Sequence, residues 1–102
     1  MNGKHIEDNG QTVRNTGIER LRDEIDAIDS RLLELINQRL FLADKIGRIK
    51  AQNGNPVLDS KREHQLLDRL SDENRGRLSD RSLRHIFREI IAAAREIQNI
   101  RK

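Results

Sequence analysis

Arg39 breaks an apolar series. Ile18, Leu21, Ile25, Ile28, Leu32 and Leu35 follow one another in steps of three and four, and Leu42, Ile46 and Ile49 resume the series beyond Arg39. That spacing marks the apolar seam of a long amphipathic helix, so a permanent positive charge lies on the seam. Lys50 lies ~20° from the same face and ~16 Å further along the axis, because eleven steps of about 100° nearly close three turns. Two long cationic side chains so placed can converge on one small anion. Near the C-terminus, Gln98 follows Ala94 by four on the apolar side of a second periodic stretch. A neutral amide there can donate to an oxygen without adding charge. Between these stretches, "NPVLDSKRE" brings Asp59, Arg62 and Glu63 together just after Pro56, the single proline.

Arg22 also lies near the seam, ~25 Å from Arg39 along the helix, too far to share a small ligand within one chain. If two copies of the helix pair antiparallel about a two-fold axis near residues 33 and 34, Arg22 of one copy falls opposite the Arg39–Lys50 interval of the other. Each of these residues also has a plainer use. Arg39 can snorkel to water over its own aliphatic stem, and Lys50 can serve the C-terminal helix dipole. Asp59 and Glu63 can cap a helix, Arg22 can pair with Asp26 at i+4, and Gln98 can face solvent. The argument for a site rests on the whole set at these spacings.

The elements that must hold these groups are helices. "TGIE" at Thr16 to Glu19 is a capping-box pattern. The first helix is expected from about Gly17 to about Gln52, ~52 Å long. A domain of this size cannot cover such a seam alone, so part of it needs a partner helix. "NGNP" ends that helix through Gly54 and Pro56. A short second helix starts at Asp59 or Ser60, where "SKRE" is again a capping-box pattern, and buries Leu66, Leu67 and Leu70. The third follows a break near Gly76, capped by Ser79 or Asp80, with Leu83, Ile86, Phe87, Ile90, Ile91, Ala94 and Ile97 on one side. The run Ala92 to Ala94 would let another backbone come close. No stretch alternates with period two, so the fold class is all-α: one very long, one short and one medium helix.

Composition bounds the alternatives. The 102 residues are 34% hydrophobic and 36% charged, with no Trp or Tyr and two Phe. So thin a core favours oligomerisation. Without cysteine there are no disulfides or thiolate ligands, and His5, His64 and His85 show no ligand spacing, so no metal is expected; no cofactor is expected either. The net charge of +3 is a mild excess of 20 basic over 17 acidic residues. A basic helical nucleic-acid-binding dimer is one reading of it, but the charges are interleaved and there is no aromatic platform for bases. A coiled-coil adaptor is another, and leaves Arg39 without a purpose. No apolar run reaches the roughly 20 residues of a membrane span. Residues 1–15 read as a mobile polar tail without a secretory signal, ahead of a domain at 16–102, and the expected location is the cytoplasm.

Three segments, "LRDEIDAIDSRLLELINQRLFLADKIGRIK", "NPVLDSKREHQLLDRL" and "IFREIIAAAREIQ", together resemble the all-helical chorismate mutase family, the AroQ class. The resemblance runs from about Ile18 to Gln98. It implies an intertwined helical homodimer with two equivalent active sites, each built from both chains. The implied reaction is an isomerisation, chorismate to prephenate, in the shikimate route to phenylalanine and tyrosine. Arg22 of the partner chain and Arg39 would hold substrate carboxylates, with Arg62 supporting that end. Lys50 would bond a carboxylate and the ether oxygen, and Gln98 the same ether oxygen. Glu63 would accept from the ring hydroxyl, helped by the backbone of Asp59. Ala94 stands where some members have a serine that touches substrate. An isochorismate-pyruvate lyase of the same fold is the nearest alternative activity.

Overall fold

The computed structural model describes residues 9–55 and 59–100, with side chains described for residues 17–55 and 59–99. Among the described residues the architecture is all-α: α1 spans Asn9–Asn53, α2 Ser60–Glu73 and α3 Asp80–Ile100. The expected proline turn at Pro56 lies outside the described residues, as do Val57 and Leu58. The chain divides into two units within α1, Met1–Leu35 and Ile36–Lys102.

The start of α1 differs from the sequence reading. The helix passes through Thr16 and begins at Asn9, so the Thr16–Glu19 capping box lies inside it and caps nothing. No proline intervenes between Asn9 and Thr16, and extending an existing helix costs far less than nucleating one. Its end follows expectation in finer detail. Gly54 takes φ +73°, its N–H donates to the Ala51 carbonyl at 3.3 Å, and the Asn55 N–H donates to the Lys50 carbonyl at 2.8 Å. This pair of bonds is the Schellman motif, which needs a left-handed residue just past the helix. Lys50 therefore belongs to the last, fixed turn of α1.

The cap of α2 also differs. Asp59, not Ser60, is the N-cap, and its Oδ1 accepts from the Arg62 N–H at 3.0 Å. That register puts Glu63 one position beyond the capping-box site, and its carboxylate points elsewhere. At the other end Asn74 terminates the helix: its Nδ2 donates to the Leu78 carbonyl at 2.7 Å and its Oδ1 accepts from the Gly76 N–H at 3.1 Å. Ser79 caps α3 by accepting from the Ser82 N–H at 3.1 Å. Ser71 donates a hydrogen bond to Asp80 across this turn. Arg84 bridges Asp80 at 2.9 Å and Asp68 at 3.1 Å. The Ser71 and Arg84 bonds hold the Asp80 carboxyl below its ordinary pKa.

In the second unit, Leu66, Leu67 and Ile91 form the core where α2 packs on α3, flanked by Leu70 and Phe87. A buried leucine of this kind stabilises by roughly 1.5–3 kcal/mol relative to exposure. The face that α1 buries there carries Ala43 and Gly47, both buried, with Arg39, Leu40 and Lys50 half-buried beside them. This face is turned by about one residue from the apolar seam, whose Leu42, Ile46 and Ile49 remain 50–58% exposed. In the first unit, Ile18, Leu21, Ile25, Ile28 and Leu32 likewise leave half or more of their surface open.

Candidate active site

The close approach between α1 and α3 occurs at a glycine. A Cβ placed on Gly47 would lie 2.7 Å from Gln98 Cγ, closer than real Cβ contacts come, and a tight 3.1 Å from its Cβ. With no side chain at position 47, Gln98 lies flat on α1, and its Nε2 donates to the Ala43 carbonyl at 2.8 Å. A backbone carbonyl only accepts, so it fixes which end of the amide faces α1. The amide nitrogen keeps a second N–H for another partner.

These contacts form one side of a cavity of about 440 Å³, a volume suited to a small organic ligand. Arg39, Leu42, Ala43, Ile46 and Lys50 line it from α1. Asp59, Arg62, Glu63 and Leu66 line it from the cap and first turns of α2, and Ile91, Ala94, Arg95 and Gln98 from α3. Seven of the eight residues singled out in the sequence thus surround one space. The eighth, Arg22, lies exposed on α1 in the first unit and is not among the lining residues.

The cavity is strongly cationic on an apolar floor. Arg39, Lys50, Arg62 and Arg95 face two carboxylates, Asp59 and Glu63, leaving an excess of two positive charges. Burial, and then the nearby charge of Arg62, lower the pKa of Arg39 from the ordinary arginine value. The guanidinium remains charged, and a bound anion beside it would favour that charged form. Arg39 is half-buried and lines the cavity. Asp59 uses its side chain as a cap, the plainer of its two expected uses. Ala94 is buried and offers no hydrogen-bonding group.

Sequence reasoning missed two contributors. Arg95 reaches from α3 to Glu63, its Nη2 donating to Oε2 at 2.6 Å. In the sequence it is one more charge beside Glu96. Gly47 leaves a signal that could have been read, since a glycine inside a helix costs about 1 kcal/mol relative to alanine and calls for a reason. Among the described residues, no group of three His, Asp or Glu side chains could hold a metal ion, and no helix is long and apolar enough to cross a membrane.

The sequence profile described as Chorismate mutase type II matches residues 21–99, a span that covers α1 from Leu21 onward, α2, α3 up to Asn99 and every residue that lines the cavity. The chain belongs to the chorismate mutase type II family. Solved mutases share its fold. A chorismate mutase from Thermus thermophilus is 35% identical, with a TM-score of 0.79 over 80% of this chain and 93% of its own. A chorismate mutase from Helicobacter pylori, solved in complex with prephenate, is 36% identical, with a TM-score of 0.76 over 82% and 91%. The bifunctional chorismate mutase/prephenate dehydratase of Aquifex aeolicus is 35% identical over 85 residues, 79% of this chain. This mutase-family chain spans about a quarter of that relative's length.

Proposed function

We propose that this chain converts chorismate to prephenate by a [3,3]-rearrangement, in aromatic amino-acid biosynthesis. The observation that carries the reading is the cavity itself. Arg39, Lys50 and Arg62 converge with Gln98 on one apolar-floored space whose excess charge a dianion would neutralise.

The reaction makes and breaks bonds within one molecule and transfers no proton, so the site's work is to fold a flexible dianion and answer the charge that develops. Arg39 and Arg62 would grip its carboxylates and hold the reacting ends in a compact, chair-like pose, removing much of the entropic part of the barrier. As the C–O bond breaks, negative charge grows on the ether oxygen. Lys50, fixed in the last turn of α1, would donate to that oxygen from one side. The second N–H of Gln98 would donate from the other. Donors held in place before reaction would stabilise the transition state more than the ground state. Glu63 would accept from the ring hydroxyl.

A homodimer completes the proposal. The half-exposed seam of α1 supports it, since a second copy would cover that apolar surface. The partner's Arg22 would then close the site over a substrate carboxylate. Cytoplasmic location is part of the same proposal.

The test is turnover of chorismate and isochorismate side by side. Prephenate from chorismate supports the reading. Pyruvate release from isochorismate without prephenate formation would assign the cavity to the lyase instead. A dianionic bicyclic transition-state analogue at millimolar concentration should raise the melting temperature markedly, because it relieves the repulsion around Arg39.

A further inference from the structure

Arg95 is a cation in the cavity wall that the proposed reaction does not use. It lies one residue beyond Ala94 on α3 and lines the cavity. Its Nη2 meets Glu63 Oε2 at 2.6 Å, with the two side chains 36% and 27% exposed. This short, half-buried ion pair joins α2 to α3. The Arg95 Nε is buried without a hydrogen-bond partner, so the guanidinium is held mainly through its bond to Glu63.

The chemistry of Glu63 explains why such a bond matters. A glutamate has three rotatable bonds, and this one shares its cavity with Arg39, Lys50 and Arg62. Left alone, its carboxylate has several competing cations within its surroundings. A charge-assisted bond to a planar guanidinium on a neighbouring helix selects one orientation. It occupies Oε2 and leaves Oε1 to accept from a ligand hydroxyl.

We propose that Arg95 is a positioning residue: it orients the Glu63 carboxylate so that the free oxygen meets the hydroxyl of the substrate. The inference rests on the proposed mutase reaction and deepens it, by assigning recognition of the hydroxyl to a pair, Arg95 and Glu63, rather than to Glu63 alone.

The experiment is a double-mutant cycle on the full chain, with KM and kcat measured on chorismate for the wild type, Arg95→Leu, Glu63→Ala and the double variant. Arg95→Leu is expected to raise KM about tenfold with kcat changed less than about threefold, as for loss of one hydrogen bond to a charged group. Arg95→Lys should recover part of that loss. In the Glu63→Ala background, Arg95→Leu should change KM by less than about twofold, because its target is gone. Additive losses, or an Arg95→Leu enzyme indistinguishable from the wild type, would overturn the inference while leaving the mutase reading intact. A wild-type protein without turnover would overturn both. If Arg95→Leu does not fold, as judged by its melting curve, Arg95→Gln takes its place in the cycle with the same expected outcomes.

Discussion

The two units of the chain bury their apolar surface to different degrees. In the second, α2 and α3 close a small core on Leu66, Leu67 and Ile91, and α1 lays its small residues, Ala43 and Gly47, inward. In the first, α1 carries Ile18, Leu21, Ile25, Ile28 and Leu32 at half exposure or more. The same helix thus serves two purposes. Its small face, where described, is buried in the second unit beside the cavity, while its large apolar face stays open along both units. A monomer gains little from such an open seam, whereas a second copy would gain from covering it. The comparison sets the two units apart: the second holds the cavity, and the first carries Arg22, the one expected cation that is not among the lining residues.

The sharpest way to break that comparison is to charge the seam. Ile25→Asp with Ile28→Asp should dissociate the proposed dimer, since an unpaired buried charge costs about 3–5 kcal/mol. Turnover should then fall to the uncatalysed background. Light scattering after gel filtration, read beside activity, checks this, and an active monomer would separate the two units' roles. Next in size is the cavity itself. Lys50→Ala and Gln98→Ala should each lower kcat about 10²–10³-fold, by analogy with loss of one oxyanion donor, while dimer mass and melting temperature stay near wild type.

A smaller effect tests the α1–α3 approach. Gly47→Ala puts a methyl group 2.7 Å from Gln98 Cγ, so something at this contact must shift, and the Gln98 side chain is expected to move. A kcat loss of about tenfold is expected, as for misplacement of a reacting-group contact by a fraction of an ångström. Steady-state kinetics would show it, and an unchanged kcat would mean that the amide position is not critical.

The smallest effect lies at the α2–α3 turn, whose Ser71, Asp80 and Arg84 are not among the cavity-lining residues. Asp80 is held below its ordinary pKa by Ser71 and Arg84. Its contribution is complete above the ordinary carboxylate value of about 4 and is lost as pH falls through the lower, folded value. Asp80→Asn should therefore lower the melting temperature slightly at neutral pH. The difference from wild type should vanish at strongly acid pH. A difference that persisted in acid would argue against the carboxylate as its source.

The site is legible in the sequence where polar groups break an apolar period. Arg39 on the seam, Lys50 on nearly the same face and Gln98 after Ala94 each stand out for that reason. Gly54 and Ser79 mark helix ends because backbone chemistry there admits few residue types. What stays hidden depends on contacts between helices. The Arg95–Glu63 pair spans 32 residues of chain, and no local pattern encodes it. The buried face of α1 differs from the seam because large apolar residues dominate a periodicity argument, whereas the α1–α3 packing selects the small ones. The start of α1 lies upstream of Thr16 because a good capping motif does not stop a helix that can extend past it.

The central claim is that the cavity between these three helices folds and rearranges a dianion through Lys50 and its neighbours. Its most direct test is the initial rate of prephenate formation from chorismate, measured for the purified wild-type protein and Lys50→Ala at matched concentration. The account predicts rapid turnover by the wild type and a drop of about 10²–10³-fold in the variant. Prephenate formation at the uncatalysed rate in the wild type, or equal rates in the two proteins, would contradict it.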